Sequence, residues 1–334
     1  MEQILDIQKT IFQQIKDKLH PSHSVVHEIS ELLNISYDSA YRRIRGEKAL
    51  TFEELYKIST RFEISVDTLF NVTTGNVVFN CLPLSPDKFE VKDWLNFILQ
   101  SLSLVTRAKD GEIIYSAADI PMFHYFQFPE IAAFKVFFWE KTLFQFPEYE
   151  DKLFRLDDAD PNIPKIGKQI LALANKIPTT EIWNEDTFNI MLRQVEFYWV
   201  SGFFKKKDDL INLCDKIEKW VHHIKKQAEC GFKFFYEQPA EGLENTFLFY
   251  NNEVVQNDNT IFVKADDQKM VYLTFNVLSI LTTNNTIFCN LIENYLKGLM
   301  TKSNLISRVG EKGRSQFFNK QLHAIEQFKS RICE

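Results

Sequence analysis

Cysteine, glycine and proline are all sparse in this chain, and each shortage removes a class of protein. The five cysteines, Cys81, Cys214, Cys230, Cys289 and Cys333, are scattered, odd in number and never arranged as C-x-x-C. Structural zinc needs clustered Cys or His at short spacing, so no metal is expected. Reduced thiols in a cytoplasmic protein are the simpler reading. Ten glycines and ten prolines in 334 residues exclude collagen-like and low-complexity composition. No apolar run approaches roughly 18 residues, so no membrane span is expected. The opening MEQILDIQKT carries acid where a signal peptide would need an unbroken apolar stretch. Excess positive charge is missing as well. The formal charge is −6, so any contact with nucleic acid must come from a local patch. There is no phosphate loop, no G-x-S-x-G elbow and no H-E-x-x-H helix. Neither an enzyme activity nor a cofactor is therefore expected.

What the chain does have is phenylalanine, 31 residues of it, with aromatics at 14%. Such residues fill large cores. The stretch FHYFQFPEIAAFKVFFWE, within 123–154, is the densest; it reads as core, with a pocket for an apolar or planar effector as the other option. His222 and His223 are neighbours on a helical stretch, so they point about 100° apart and share a metal poorly. RLDDADP, 155–161, gathers three Asp without the spacing of a calcium loop and reads as a solvated acidic turn.

Residues 1–71 read as five short helices. Ile11, Phe12, Ile15 and Leu19 recur at helical spacing, and His20-Pro21 ends that helix. Ser24 caps a second helix with Val25, Ile29, Leu32 and Leu33 inward. Asn34 stands where a tight turn needs a left-handed residue. Ser36 caps a third helix burying Ala40 and Ile44, and Gly46 ends it. Thr51 and Glu54 form a capping box for a fourth, with Phe52, Leu55, Ile58 and Phe62 inward. Ser65 opens a short fifth carrying Val66, Leu69 and Phe70.

Residues 72–88 shift to Gly, Pro, Ser, Thr and Asn and read as a linker. The remainder, 89–334, reads as one larger sensing or dimerisation domain. It opens with a helix over 89–105, then a hairpin in SLVTRAKDGEIIYSA turning at Lys109-Asp110-Gly111. A further helix falls near 130–144. A helical block spans 162–230, with stripes at Phe188, Met191, Leu192, Val195, Tyr198 and Trp199 and at Leu210, Cys214, Ile217, Val221, Ile224 and Ala228. Over 232–276 the period changes to that of strands, FKFFYE, TFLFYNNEVV, TIFVKA and MVYLTF, with a hairpin at Asp266-Asp267-Gln268. Two helices close the chain over 286–332. The fold class is α+β, mainly α, with helices and antiparallel strands in the larger domain.

The second and third helices with their turn form a helix-turn-helix. Such a unit lays its second helix in the major groove while the first crosses the backbone. With Ala40 inward, Ser36, Tyr37, Asp38, Tyr41, Arg42 and Arg45 lie outward, and Arg42, Arg43, Arg45 and Lys48 form the dense basic group of this region. These eight residues are the candidate DNA-binding set.

On EISELLNIS and SAYRRIRGEKALTFEELYKISTRFEISVDTLF, residues 8–70 resemble the DNA-binding domain of lambda-repressor-like (XRE, Cro/CI-type) regulators. The resemblance covers about one-fifth of the chain. The chain departs from the family pattern in places: the small residue usual inside the second helix is Ser30. The usual turn glycine is Asn34, and an apolar-then-Glu pair late in the recognition helix is Arg43-Ile44. The resemblance implies Arg42 and Tyr41 at base edges, with Arg45, Lys48 and the Ser24 end at phosphates. It also implies a homodimer with recognition helices about 34 Å apart, one DNA turn. Candidate dimer seams are the 210–228 stripe and the final helix. The expected function is that of a cytoplasmic transcription regulator of double-stranded DNA, with an effector-sensing or dimerisation region. The alternative is an adaptor whose helix-turn-helix docks a protein.

Overall fold

The computed structural model describes residues 2–19, 23–64, 66, 76–81, 90–253, 259–276 and 278–333. The chain divides into two compact units, Met1–Val78 and Phe79–Glu334.

Among the described residues the first unit has four helices: α1 (Glu2–Lys18), α2 (Val25–Leu33), α3 (Tyr37–Ile44) and α4 (Phe52–Phe62). Their core is Ile11, Phe12, Ile15, Val26, Ile29, Leu33, Ala40, Ile58, Phe62 and Ile64. Asn34 does adopt the left-handed conformation, at φ 51° and ψ 53°, and its N–H closes α2 on Glu31 and Ser30. Ser24 occupies the N-cap position of α2, but its side chain makes no capping bond. The Thr51–Glu54 capping box opens α4 as expected. Phe52 does not point inward: it is 86% exposed. As the first residue of α4 it precedes the turn whose inner face is Leu55, Ile58 and Phe62. The expected fifth helix falls on residues that, Val66 apart, lie outside those described.

The second unit is a mixed eight-stranded sheet with helices on both faces. Its elements in chain order begin with β1 (Asn80–Cys81), α5 (Val91–Arg107), β2 (Gly111–Ala117), α6 (Pro129–Phe138) and α7 (Asn162–Ala174). There follow β3 (Thr179–Trp183), α8 (Glu185–Val200), α9 (Lys207–Cys230), β4 (Phe247–Asn251), β5 (Thr260–Ala265), β6 (Gln268–Asn276) and β7 (Ser279–Thr283). The last are α10 (Thr286–Thr301), β8 (Asn304–Leu305) and α11 (Glu311–Cys333). The strand order is β1-β7-β6-β5-β2-β3-β4-β8.

The strands are not all antiparallel as the sequence reading had them. β3 pairs parallel with both β2 and β4, and helices supply the long crossovers that parallel pairing requires. Side-chain alternation sorts the strands cleanly. Ile113, Tyr115, Trp183 and Val263 join the main core, whereas Ile114, Ile182, Phe262 and Val271 join a smaller core on the other face under α10. That is the period of two expected of a pleated sheet.

Several segments differ from the expectation, each for a local reason. SLVTR is the end of α5, so helix rather than hairpin precedes β2. Ser101, Ser103 and Thr106 return their hydroxyls to carbonyls four residues back, which lets these poor helix formers continue the helix. TTEIW, inside the expected helical block, is β3. FKFFYE is not a strand. The Phe234 carbonyl is instead taken by Gln127 Nε2, His223 Nε2 and Gln227 Nε2 at 3.0, 3.0 and 2.8 Å, so side chains replace a neighbouring strand. Part of the expected linker is ordered as β1, which pairs with β7. Its residues 72–75 and 82–88 lie outside those described.

The stripe over 210–228 and the final helix both face the main core; α9 and α11 pack along each other. Neither presents its apolar stripe outward, so neither stripe is free to form a dimer seam. An exposed apolar row runs along α10, where Ile287, Leu291 and Tyr295 stand in the open.

Candidate nucleic-acid interface

The inner side of α3 determines what its outer side can present. Ala40 is fully buried, and the other buried residue of the helix is Arg43, only 4% exposed. Arg43 Nε donates to Glu54 Oε2 at 3.1 Å and Nη2 to Glu54 Oε1 at 2.5 Å, while Nη1 donates to the Ser39 carbonyl at 3.0 Å. Glu54 also accepts from the Thr51 backbone N–H at 3.0 Å and so closes the capping box. The Arg43 guanidinium holds the Glu54 carboxyl below its usual range. Arg43 is therefore not part of the outward face. It bolts α3 to the start of α4. Ile44, expected as the inward residue, is half-buried at the edge of the core. A burial argument alone favours isoleucine, but the fork of an arginine finds a carboxylate fixed in place by a cap.

A residue missed in the sequence completes the anchoring. Gln8 of α1 is buried. Its Nε2 donates to the carbonyls of Arg43 and Lys48 at 2.6 and 2.9 Å, and its Oε1 accepts from the Leu50 N–H at 3.0 Å. One amide thus satisfies three backbone groups around the α3–α4 turn. The sequence signal was a polar residue amid the apolar spacing of α1.

The outer side carries Ser36, Tyr37, Asp38, Tyr41, Arg42 and Arg45, all exposed, and Lys48 is exposed in the turn that follows α3. Ser36 caps α3 by accepting from the Ser39 N–H. Tyr37 stacks on His27 of α2, with hydroxyl and Nδ1 2.9 Å apart. Arg45 lies over the Tyr41 ring at 5.5 Å. Arg42 and Arg45 both approach Glu47, at 3.9 and 3.7 Å. These are long, exposed pairs that hold little free energy, so the guanidinium groups stay available for a phosphate or a base edge.

In the second unit, the acidic turn at 155–161 is laced to cations. Arg155 and Lys206 bond Asp157, and Lys92 bonds Asp160. Among the described residues no group of three or more His, Cys, Asp or Glu is placed to hold a metal. His222 faces solvent and His223 is buried, as their adjacency on a helix predicts. Glu181, fully buried on β3, accepts from His124 Nε2 at 2.9 Å and from Trp183 Nε1 at 2.9 Å. This network ties the 3₁₀ turn Met122–Gln127 to the sheet. Gly167 lets α7 lie on that turn, since a Cβ there would fall 2.2 Å from the Phe126 ring.

The arrangement of α2, Asn34 and α3, with a polar and cationic outer side, is that of a helix-turn-helix DNA-binding head. Residues 5–83 match the BetR domain, a family of small N-terminal DNA-binding domains of the helix-turn-helix type. No curated protein and no solved structure matches the chain. No helix among the described residues is long and apolar enough to cross a membrane.

Proposed function

We propose that this chain is a non-enzymatic, sequence-specific transcription regulator that binds double-stranded DNA as a homodimer in the cytoplasm, with the lambda-repressor-like mode of docking. Its second unit carries dimerisation and effector sensing. The single observation that carries the reading is the division of labour among adjacent arginines. Arg43 is spent on Glu54, while Arg42, Arg45, Tyr37 and Tyr41 remain exposed on the side of α3 that a helix-turn-helix turns to the major groove.

Two copies are needed because so few cations neutralise few phosphates, which leaves a single head weak at physiological salt. The seam for a second copy is the outer row of α10. Its exposed positions Ile287, Asn290, Leu291, Asn294 and Tyr295 bear no charge, and Lys297 at its far end is paired with Glu293. Selection of bound sites from random DNA with the purified chain tests the whole reading. A two-fold symmetric motif is the expected result, and a pool without enrichment refutes it.

The second reading, a protein-docking adaptor, draws on Phe52 and Tyr56, which stand exposed one turn apart on α4. Salt separates the two. Binding through phosphates weakens steeply as salt rises, whereas an apolar docking face does not.

A further inference from the structure

A cleft of about 680 Å³ opens in the second unit between the start of α5, α6 and the segment 146–160. That is the volume of a small-molecule site, roughly 300–1,000 Å³. Val91, Val136, Phe137 and Phe154 give it an apolar floor. Its charges are unbalanced, with six carboxylates and four cations in the lining. Two of the cations are committed, Lys92 to Asp160 at 2.8 Å and Arg155 to Asp157 and Asp158 at 2.9 and 3.8 Å. Within the lining, Glu90, Glu140, Glu148 and Asp151 are then set against Lys152 and Lys205.

Of these four carboxylates Glu140 is half-buried and the others are exposed. It belongs to the π-helical stretch Trp139–Leu143, an irregularity that recurs at functional sites. Burial pushes its carboxyl above the usual range, and Glu148 and Asp160 add to the rise. The Tyr149 hydroxyl, which donates to it, and the Lys152 charge oppose that rise. The Lys152 ammonium stands over the Tyr149 ring, 4.0 Å from its centroid, and Phe137 meets the same ring edge-on at 5.5 Å. The chain's own lysine thus shows what this corner holds: an ammonium on an alkyl stem, its charge near a carboxylate and over an aromatic face. Lys152 is exposed, so its side chain can leave without opening the core.

We infer that the cleft binds a primary alkylammonium ion, whose charge is taken by Glu140 and the Tyr149 ring in place of Lys152 and whose hydrocarbon chain lies on Val136, Phe137 and Phe154. A neutral ligand would leave the surplus carboxylates unmatched, and an anion would be repelled by them. That such an ion is an effector rests on the regulator reading; the binding itself does not.

Hexylamine, hexan-1-ol and hexanoate share a six-carbon chain and carry a positive, a neutral and a negative head. Titrated calorimetrically into the full chain at pH 7, hexylamine should bind saturably at one site, about tenfold more tightly than hexan-1-ol, as expected of one partly desolvated cation–π contact. Hexanoate should not bind. Glu140→Gln should weaken hexylamine by about tenfold. Lys152→Gln, a change at the surface, should tighten it severalfold by removing the resident competitor. Circular dichroism checks that both variants fold; should Glu140→Gln fail to, Lys152→Gln decides alone. No saturable binding of hexylamine, hexan-1-ol or hexanoate binding as tightly, a folded Glu140→Gln variant with undiminished affinity, or a Lys152→Gln variant with unchanged or weaker affinity would each overturn the assignment. DNA selection without enrichment would sink the regulator reading and leave the amine binding standing.

Discussion

Arg43 and Glu54 are joined by a two-pronged ion pair beneath the recognition helix, with Arg43 almost wholly out of water. The pair divides the basic cluster of the sequence into one structural residue and several available ones. Removing Arg43 leaves a part-buried Glu54 without its partner and opens a gap under α3, at about 1–3 kcal/mol, short of the cost for a fully buried pair. Arg43→Ala should therefore unfold the first unit well below the wild-type midpoint, whereas Arg42→Ala should leave the midpoint within about 0.5 kcal/mol. Denaturant titration followed by circular dichroism on both variants measures the contrast.

The exposed cations left outside that pair should differ in their effect on DNA affinity. Arg42→Ala should cost about 1–3 kcal/mol on a selected site and relax one base position, as expected of a base-edge contact. Lys48→Ala should weaken all sequences alike and reduce the slope of log K against log salt by about one. Anisotropy titrations at several salt concentrations, on matched and mismatched duplexes, separate the two behaviours.

A charge placed in the uncharged row of α10 should act on assembly alone. With Leu291→Glu the chain should sediment as a monomer, its circular dichroism unchanged because Leu291 is 62% exposed. Its DNA affinity should fall with the loss of the second head. A variant that remains dimeric would move the seam away from α10.

Acid should weaken the second unit before the first. Burial pushes the His223 imidazole down to about 4, while an unfolded histidine titrates near 6.5. As pH falls from about 6.5 to 4 the unfolded chain binds a proton that the folded chain refuses, so stability drops by on the order of 3 kcal/mol. Glu54 acts lower: its folded carboxyl is held below 4.5, so its contribution is present above that value and is lost as pH falls beneath it. Chemical denaturation between pH 7 and 4 should show the first decline, and His223→Gln should flatten it.

Much of this was legible in the sequence because short-range chemistry decides it. Asn34, the Thr51–Glu54 box and the helical stripes at 188–199 and 210–228 each follow from spacing within a few residues. What the sequence could not disclose depends on partners far away in the chain. Arg43 and Ile44 are adjacent, and only Glu54 decides which goes deeper. TTEIW becomes β3 because β2 and β4 flank it, not because of its own pattern. FKFFYE has the composition of a strand, yet Gln127, His223 and Gln227 claim its backbone. The aromatic run at 123–154 was read as core, which it largely is, but the pairing of Trp94 with Trp139 joins two segments that nothing local connects.

Gln8 has a mechanical corollary. Because its amide grips the carbonyls of Arg43 and Lys48, α1 and the α3–α4 corner move as one lever. A tilt imposed on α1 would pass through this single side chain to the backbone that carries Arg42 and Arg45.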